Sequence, residues 1–210
     1  MEIHPTREGF EQALIKYLKL APMLARSTAQ FAKGAVGSNT LIVNEQADAG
    51  DTWPQRIEGM AHEIIHMLQL TLANRPNISG NQWLIEGFAE WMALNVTDAL
   101  GVDELTRART RTLDKVRTQK RKGELPRIVR LDAFADWVEA RRKYGYDGTY
   151  SLSFLVTDFL IKRHSFDAVI DYFRRFRTSN DHGANLKAAI GESLDDFEIA
   201  LDRHLEGLLK

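Results

Sequence analysis

His62-Glu63-Ile64-Ile65-His66 is the stretch that decides how this chain reads. Residues four apart on a helix share a face, with Cβ atoms about 5–6 Å apart. Two imidazoles placed that way can each give one nitrogen to the same Zn²⁺, at roughly 2.0–2.1 Å. Glu63 follows the first His directly, so it can lean over the open metal position and take a proton from a water held there. The chain has 6 His in 210 residues, and about one shuffled sequence of this composition in ninety contains such a pattern. Two ligands also fall short of a catalytic site, so the surrounding sequence has to supply a helix and a third ligand.

The helix is legible. Thr52, with Gln55 three residues on and Pro54 in the first turn, marks a helix start. Ile57, Ala61, Ile64, Leu68 and Leu72 repeat at helical spacing, and Asn74, Pro76 and Asn77 stop the helix. The high apolar content predicts a helix buried on most sides. Two His and a Glu on it then need partners, because unpaired polar groups are expensive to bury. The simpler alternative is a pair of core histidines hydrogen-bonded to backbone.

A third ligand is available twenty residues on. Trp83-Leu84-Ile85-Glu86-Gly87-Phe88-Ala89-Glu90-Trp91 begins a second helix after the loop from Pro76 to Asn81, and Gly101 closes it. Leu84, Phe88, Trp91 and Met92 form its apolar stripe. Glu86 and Glu90 are four apart and share a face. A short connection makes the two helices antiparallel neighbours, which can bring Glu86 beside His62 and His66. Two His and one Glu plus a water is an established catalytic zinc arrangement. Glu90 then suits the carboxylate that fixes a ligating ring through its other N–H, and Gly87 permits close approach of another backbone. The plainer alternative for Glu86 and Glu90 is the exposed face of a surface helix.

With those residues in view, the chain resembles the gluzincin clan of zinc metallopeptidases. It is most similar to the peptidase MA-like families, and more distantly to collagenase catalytic domains. The likeness rests on H-E-x-x-H at 62–66 and W-x-x-E-G-x-A-E at 83–90. It implies a zincin-like domain in which His62, His66 and Glu86 bind one Zn²⁺, Glu63 is the general base and Glu90 orients a ligand. Weaker likeness continues through Tyr150-Ser151-Leu152-Ser153-Phe154-Leu155 and Gly191-Glu192-Ser193-Leu194-Asp195-Asp196-Phe197, so it spans about residues 38–206. Gluzincins often stabilise the oxyanion with a Tyr on a later helix. Tyr150 matches that position best, with Tyr144 and Tyr146 next and His182 as a further alternative; core packing is the competing role for Tyr150. The likeness also gives the strand Thr40-Leu41-Ile42-Val43-Asn44 the role of an edge that binds substrate backbone.

Bulk properties suit a single globular domain: 44% hydrophobic, 27% charged, net charge −1. With no cysteine, metal ligands are limited to His and carboxylate. No apolar run is long enough to span a membrane. Residues 1–7 lack a signal-peptide core, which places the protein in the cytoplasm if the chain is complete and outside it if a leader has been trimmed. From Arg107 to Arg130, ten Lys/Arg face only Asp114 and Glu124, a local +8. That segment is either a site for anionic partners or a solvated helix face whose Leu105, Ala108, Leu113 and Val116 pack inward; the second is preferred. Aromatics do not interleave with the basic residues, so no nucleic-acid partner is expected.

The rest reads as mainly α (α+β), a helical bundle with a small sheet near the metal-site helix. Residues 1–37 are expected to be helical, with helices over 7–20 and from Pro22 to near Gly34. Thr40–Asn44, bounded by Gly37, Ser38 and Asp48, is the one confident strand. Further helices are expected over 103–122, 132–144, 149–163, 166–177, 184–190 and 194–208, the last capped by Ser193 with Asp196. Within one domain, 38–101 would carry the strand and metal-site helices and 102–210 a helical remainder. The expected activity is zinc-dependent hydrolysis of peptide bonds in peptide or protein substrates. A zinc hydrolase for another amide or ester, and a zinc-stabilised binding module, are the alternatives. Oligomeric state is not legible.

Overall fold

Thr52 and Gln55 build the start of the helix that carries His62 and His66 as a capping box, in which Gln55 Oε1 accepts from the Thr52 N–H at 2.9 Å. In the computed structural model, which describes residues 1–37, 40–123 and 125–210, this helix is α4, Trp53–Ala73. It ends at Asn74 in the left-handed region (φ 52). Before it come β1 (Glu2–His4), α1 (Arg7–Leu18), α2 (Pro22–Ala29), β2 (Gly34–Gly37), β3 (Thr40–Asn44) and the short α3 (Glu45–Asp48). After it come α5 (Gln82–Ala99), α6 (Leu105–Lys122), α7 (Phe134–Tyr146), α8 (Leu152–His164), α9 (Phe166–Arg175), α10 (His182–Ile190) and α11 (Leu194–Leu208). Ser193 caps α11, accepting from the Asp196 N–H at 3.1 Å. Ser38 as a strand boundary and Glu124 in the charge tally lie outside the described residues.

The architecture is mainly helical with a small three-stranded sheet. Its order is β1-β3-β2, with β1 parallel to β3 and β2 antiparallel to it. Two expectations fail here. The first 37 residues are not purely helical, because β1 and β2 lie within them. Each is three or four residues long, and Gly-Ala-Val-Gly lacks β-branched alternation, so both become strands only by pairing with β3. The second failure concerns β3. It was expected as the substrate-binding edge, but it is central, with Ile42 opposite Glu2 on one side and Ala35 on the other. Its backbone groups are used on both sides, and β2 is the strand that reaches α4.

Helix α5 runs through the centre of the helical part, and residues 81–90 are buried without interruption. Trp83, Leu84 and Phe88 are wholly enclosed, with Trp83 stacked on Phe197 of α11 at 5.9 Å. A Cβ at Gly87 would collide with the Ser153 carbonyl and the Thr157 hydroxyl, so glycine is what lets α8 lie directly on α5. A smaller core of Phe10, Leu14, Ala25, Ala29 and Ile42 joins α1 and α2 to the sheet.

Helix α4 is not buried on most sides. Met60, Ile64 and Leu68 are 46%, 50% and 38% exposed. The inward residues are His62, Ile65, Gln69 and Ala73. The apolar stripe counted along this helix therefore lies partly on the wrong face, because the polar side chains of His62 and Gln69 share the inward one.

The basic segment is largely neutralised internally. Arg109 pairs with Asp158 at 2.9 Å, and Arg127 and Arg130 both bind Glu198. Arg107, Arg111 and Arg117 pair with Glu104, Asp103 and Asp114. Ala108 and Val116 are buried, while Leu105 and Leu113 are partly so. Among the described residues, no helix is long and apolar enough to cross a membrane.

Candidate metal centre

His62 and His66 project from one face of α4 towards α5, and Glu86 comes from the second turn of α5 to meet them. His66 Nε2 lies 2.9 Å from His62 Nε2, and Glu86 Oε2 lies 3.2 Å from His62 Nε2 and 3.5 Å from His66 Nε2. A tetrahedral ion with ligands at about 2.0–2.1 Å sets neighbouring ligand atoms about 3.3 Å apart. The three separations bracket that value, so this buried group can hold a metal ion.

The remaining polar atoms of His66 and Glu86 are hydrogen-bonded, and that of His62 faces a carboxylate. Gln69 fixes His66: its Nε2 donates to the Ile85 carbonyl at 2.8 Å, so its Oε1 is the acceptor that faces His66 Nδ1, also at 2.8 Å. The proton of a neutral His66 then sits on Nδ1, and Nε2 keeps its lone pair for a metal. Gln82 Nε2 donates to Glu86 Oε1 at 2.8 Å, which leaves Oε2 free. Glu90 Oε1 stands 3.0 Å from His62 Nδ1, with the ring N–H off the line to the oxygen. Glu90 Oε2 accepts from the Tyr146 hydroxyl at 2.6 Å. Partners of this kind orient ligating groups and set which nitrogen is free.

Charge follows the geometry. Burial pulls the His62 and His66 pKa values down, but Glu86, and for His62 also Glu90, override it and raise both. Burial alone would push Glu86 up; the two imidazoles hold it far below the usual carboxylate range. Glu63 behaves in the opposite way. Burial raises its pKa against the pull of His66 and His62. Its Oε2 is buried with no hydrogen-bond partner among the described residues. Its side chain rests on Gly34 of β2, where a Cβ would fall 2.6 Å from Glu63 Cγ.

Tyr150 reaches the site. Its ring lies 6.0 Å from that of His62, edge-on to Trp137 at 5.1 Å and stacked on Tyr146 at 5.0 Å. Burial, then the charge of Glu86, keep its hydroxyl protonated. It sits in a π-helical turn, Asp147–Ser151, which follows Gly145 at φ 72, ψ −176, a backbone conformation open essentially to glycine. Tyr146 is engaged with Glu90, and His182 packs on Gly80 at the entry to α5. The strand Thr40–Asn44 lies away from α4, behind β2.

Sequence reasoning missed Gln69, Gln82 and Gly34, and it offered Tyr146 as an oxyanion donor rather than as the partner of Glu90. Gln69 stands three residues after His66 and Gln82 four before Glu86, so both share a helix face with the residue they bind. That spacing was the available signal. The pairing of Tyr146 with Glu90 and the contact of Gly34 with Glu63 join distant segments and had none. No protein-family model matches the chain, and no curated protein and no solved structure matches it.

Proposed function

We propose that this chain is a zinc-dependent metallopeptidase of the gluzincin type. One observation carries the reading. Three lone-pair atoms from two helices converge at separations of 2.9–3.5 Å, while the other polar atoms of His66 and Glu86 are hydrogen-bonded elsewhere and that of His62 faces the Glu90 carboxylate. His62, His66 and Glu86 would hold the ion, and two imidazoles with one carboxylate suit zinc among the common divalent metals. When bound, the ion supplies a Lewis acid that acidifies water and polarises a carbonyl.

The chain's own groups do the rest. Glu63 takes the proton of the attacking water and returns it to the leaving amine nitrogen. A carboxylate whose pKa is raised by burial suits both halves of that transfer. The neutral Tyr150 phenol donates a hydrogen bond to the oxygen on which charge develops. The edge of β2, next to Glu63, takes the role assigned from sequence to Thr40–Asn44: an extended peptide adds to it as a further strand.

The test is a pair of measurements on Glu63→Gln. The variant should keep its zinc and lose hydrolysis of a mixed peptide library by about 100-fold or more. Full peptidase activity in that variant would remove Glu63 from its role.

A further inference from the structure

Arg141 of α7 is a guanidinium without a carboxylate partner among the described residues. It lies over three aromatic rings, with Cζ 5.2 Å from the centre of Phe31, 5.7 Å from Tyr146 and 6.0 Å from Tyr150. Its Nε is buried with no hydrogen-bond partner among the described residues. Among the described residues it makes no ion pair, whereas six of the ten cations between Arg107 and Arg130 do. A partly buried guanidinium with an unmet donor is costly unless something completes it. The aromatic rings hold the fork in one plane and strip water from its faces. A planar fork held that way matches a carboxylate in two parallel hydrogen bonds.

The position gives this group a role in the site. Phe31 lies in the turn that leads into β2, whose Gly34 abuts Glu63. Tyr150 is the ring that touches both Arg141 and His62, each at 6.0 Å. Arg141 therefore stands between the strand edge and the tyrosine pair, a short way from the metal ligands. We propose that Arg141 binds a carboxylate of the peptide substrate, so that the site selects peptides with an anionic group near the cleaved bond. This inference rests on the peptidase reading. Two 6.0 Å steps bound the reach, and an extended chain covers about 3.3–3.6 Å per residue. The recognised carboxylate then lies within about four residues of the scissile bond. It is either the C-terminal carboxylate or the side chain of Asp or Glu.

The experiment uses the Glu63→Gln protein, which retains peptide without cutting it. It is titrated calorimetrically with N-acetylated penta-alanine as free acid and as C-terminal amide. A second pair, both amidated, carries Glu or Gln at the fourth residue. In one pair the anionic member should bind at least tenfold more tightly. Preference for the free acid assigns the terminal carboxylate, and preference for Glu over Gln assigns the side chain. Adding Arg141→Gln should reduce that preference to less than twofold, while Arg141→Lys, which keeps the charge and loses the fork, should retain part of it. No preference with Arg141 intact, or an equal preference in Arg141→Gln, overturns the proposal. Circular dichroism confirms that the variants fold, and Arg141→Lys serves if Arg141→Gln does not. Titrations repeated without zinc separate the two claims. A chain that takes up no zinc defeats the metallopeptidase reading, while the carboxylate preference is still read from the metal-free protein.

Discussion

Replacing Gln69 tests whether the metal centre is organised before metal arrives. Gln69 is 1% exposed and bridges the His66 ring to the Ile85 carbonyl, with 2.8 Å on each side. In Gln69→Leu a ring N–H and a backbone carbonyl lose their partners inside the protein. Each such orphan costs about 1–3 kcal/mol, and leucine's gain in apolar packing offsets part of it. The net expectation is a loss of about 2–4 kcal/mol in urea unfolding of the metal-free protein. His66 is also released to turn or to change tautomer, and loss of an orienting partner of this kind lowers metal affinity about 10–100-fold. Gln69→Glu separates the two effects. A carboxylate still accepts from His66 Nδ1 but cannot donate to Ile85. This variant should lose stability like Gln69→Leu, yet hold zinc within about tenfold of wild type. Competition with a chelator reads the affinities, and ¹⁵N chemical shifts of the His66 ring read the tautomer. Unchanged zinc affinity in Gln69→Leu, with His66 still protonated at Nδ1, would refute the reasoning.

Three other outcomes are expected. Burial, then the charge of Glu90, raise Glu58 to a pKa of about 7. The folded state therefore holds a proton that the unfolded chain has lost, and stability falls as pH rises from about 4.5 through 7. Glu58→Gln should be about 1–3 kcal/mol more stable than wild type at pH 8 and nearly equal at pH 4.5, by thermal or urea unfolding. His62 and His66 have raised pKa values in the metal-free protein, so protons compete with zinc from above pH 6.5 downwards. Equilibrium dialysis should show zinc affinity falling about tenfold or more per pH unit below that point, whereas a flat profile would detach the imidazoles from the metal. Gly87→Ala forces a methyl into the Ser153 carbonyl beside Glu86. It should destabilise the protein by about 1–3 kcal/mol and weaken zinc binding, both measurable on one sample.

Much of this was legible because the chemistry is local. The capping box at Thr52, the i,i+4 pair on α4 and the Glu86/Glu90 pair on α5 follow from helix periodicity, and a short connection sets the helices side by side. The close approach at Gly87 was legible for the same reason. What escaped depends on partners far away in sequence. β2 has no strand signature of its own and exists by pairing with β3, so the free edge was assigned to the wrong strand. Ile64 and Leu68 fit an apolar period, but the period cannot say that polar side chains take the inward face. Tyr146 and Glu90 are 56 positions apart. Arg141 meets Phe31 from a different part of the chain altogether, and no spacing rule joins them.

The central claim is that His62, His66 and Glu86 form one metal site. Equilibrium dialysis against zinc, with metal content read by mass spectrometry, tests it most directly. The account expects one zinc per chain in the wild type and at least a hundredfold weaker binding in Glu86→Ala. A wild type that takes up no zinc, or a Glu86→Ala variant with undiminished affinity, would contradict it.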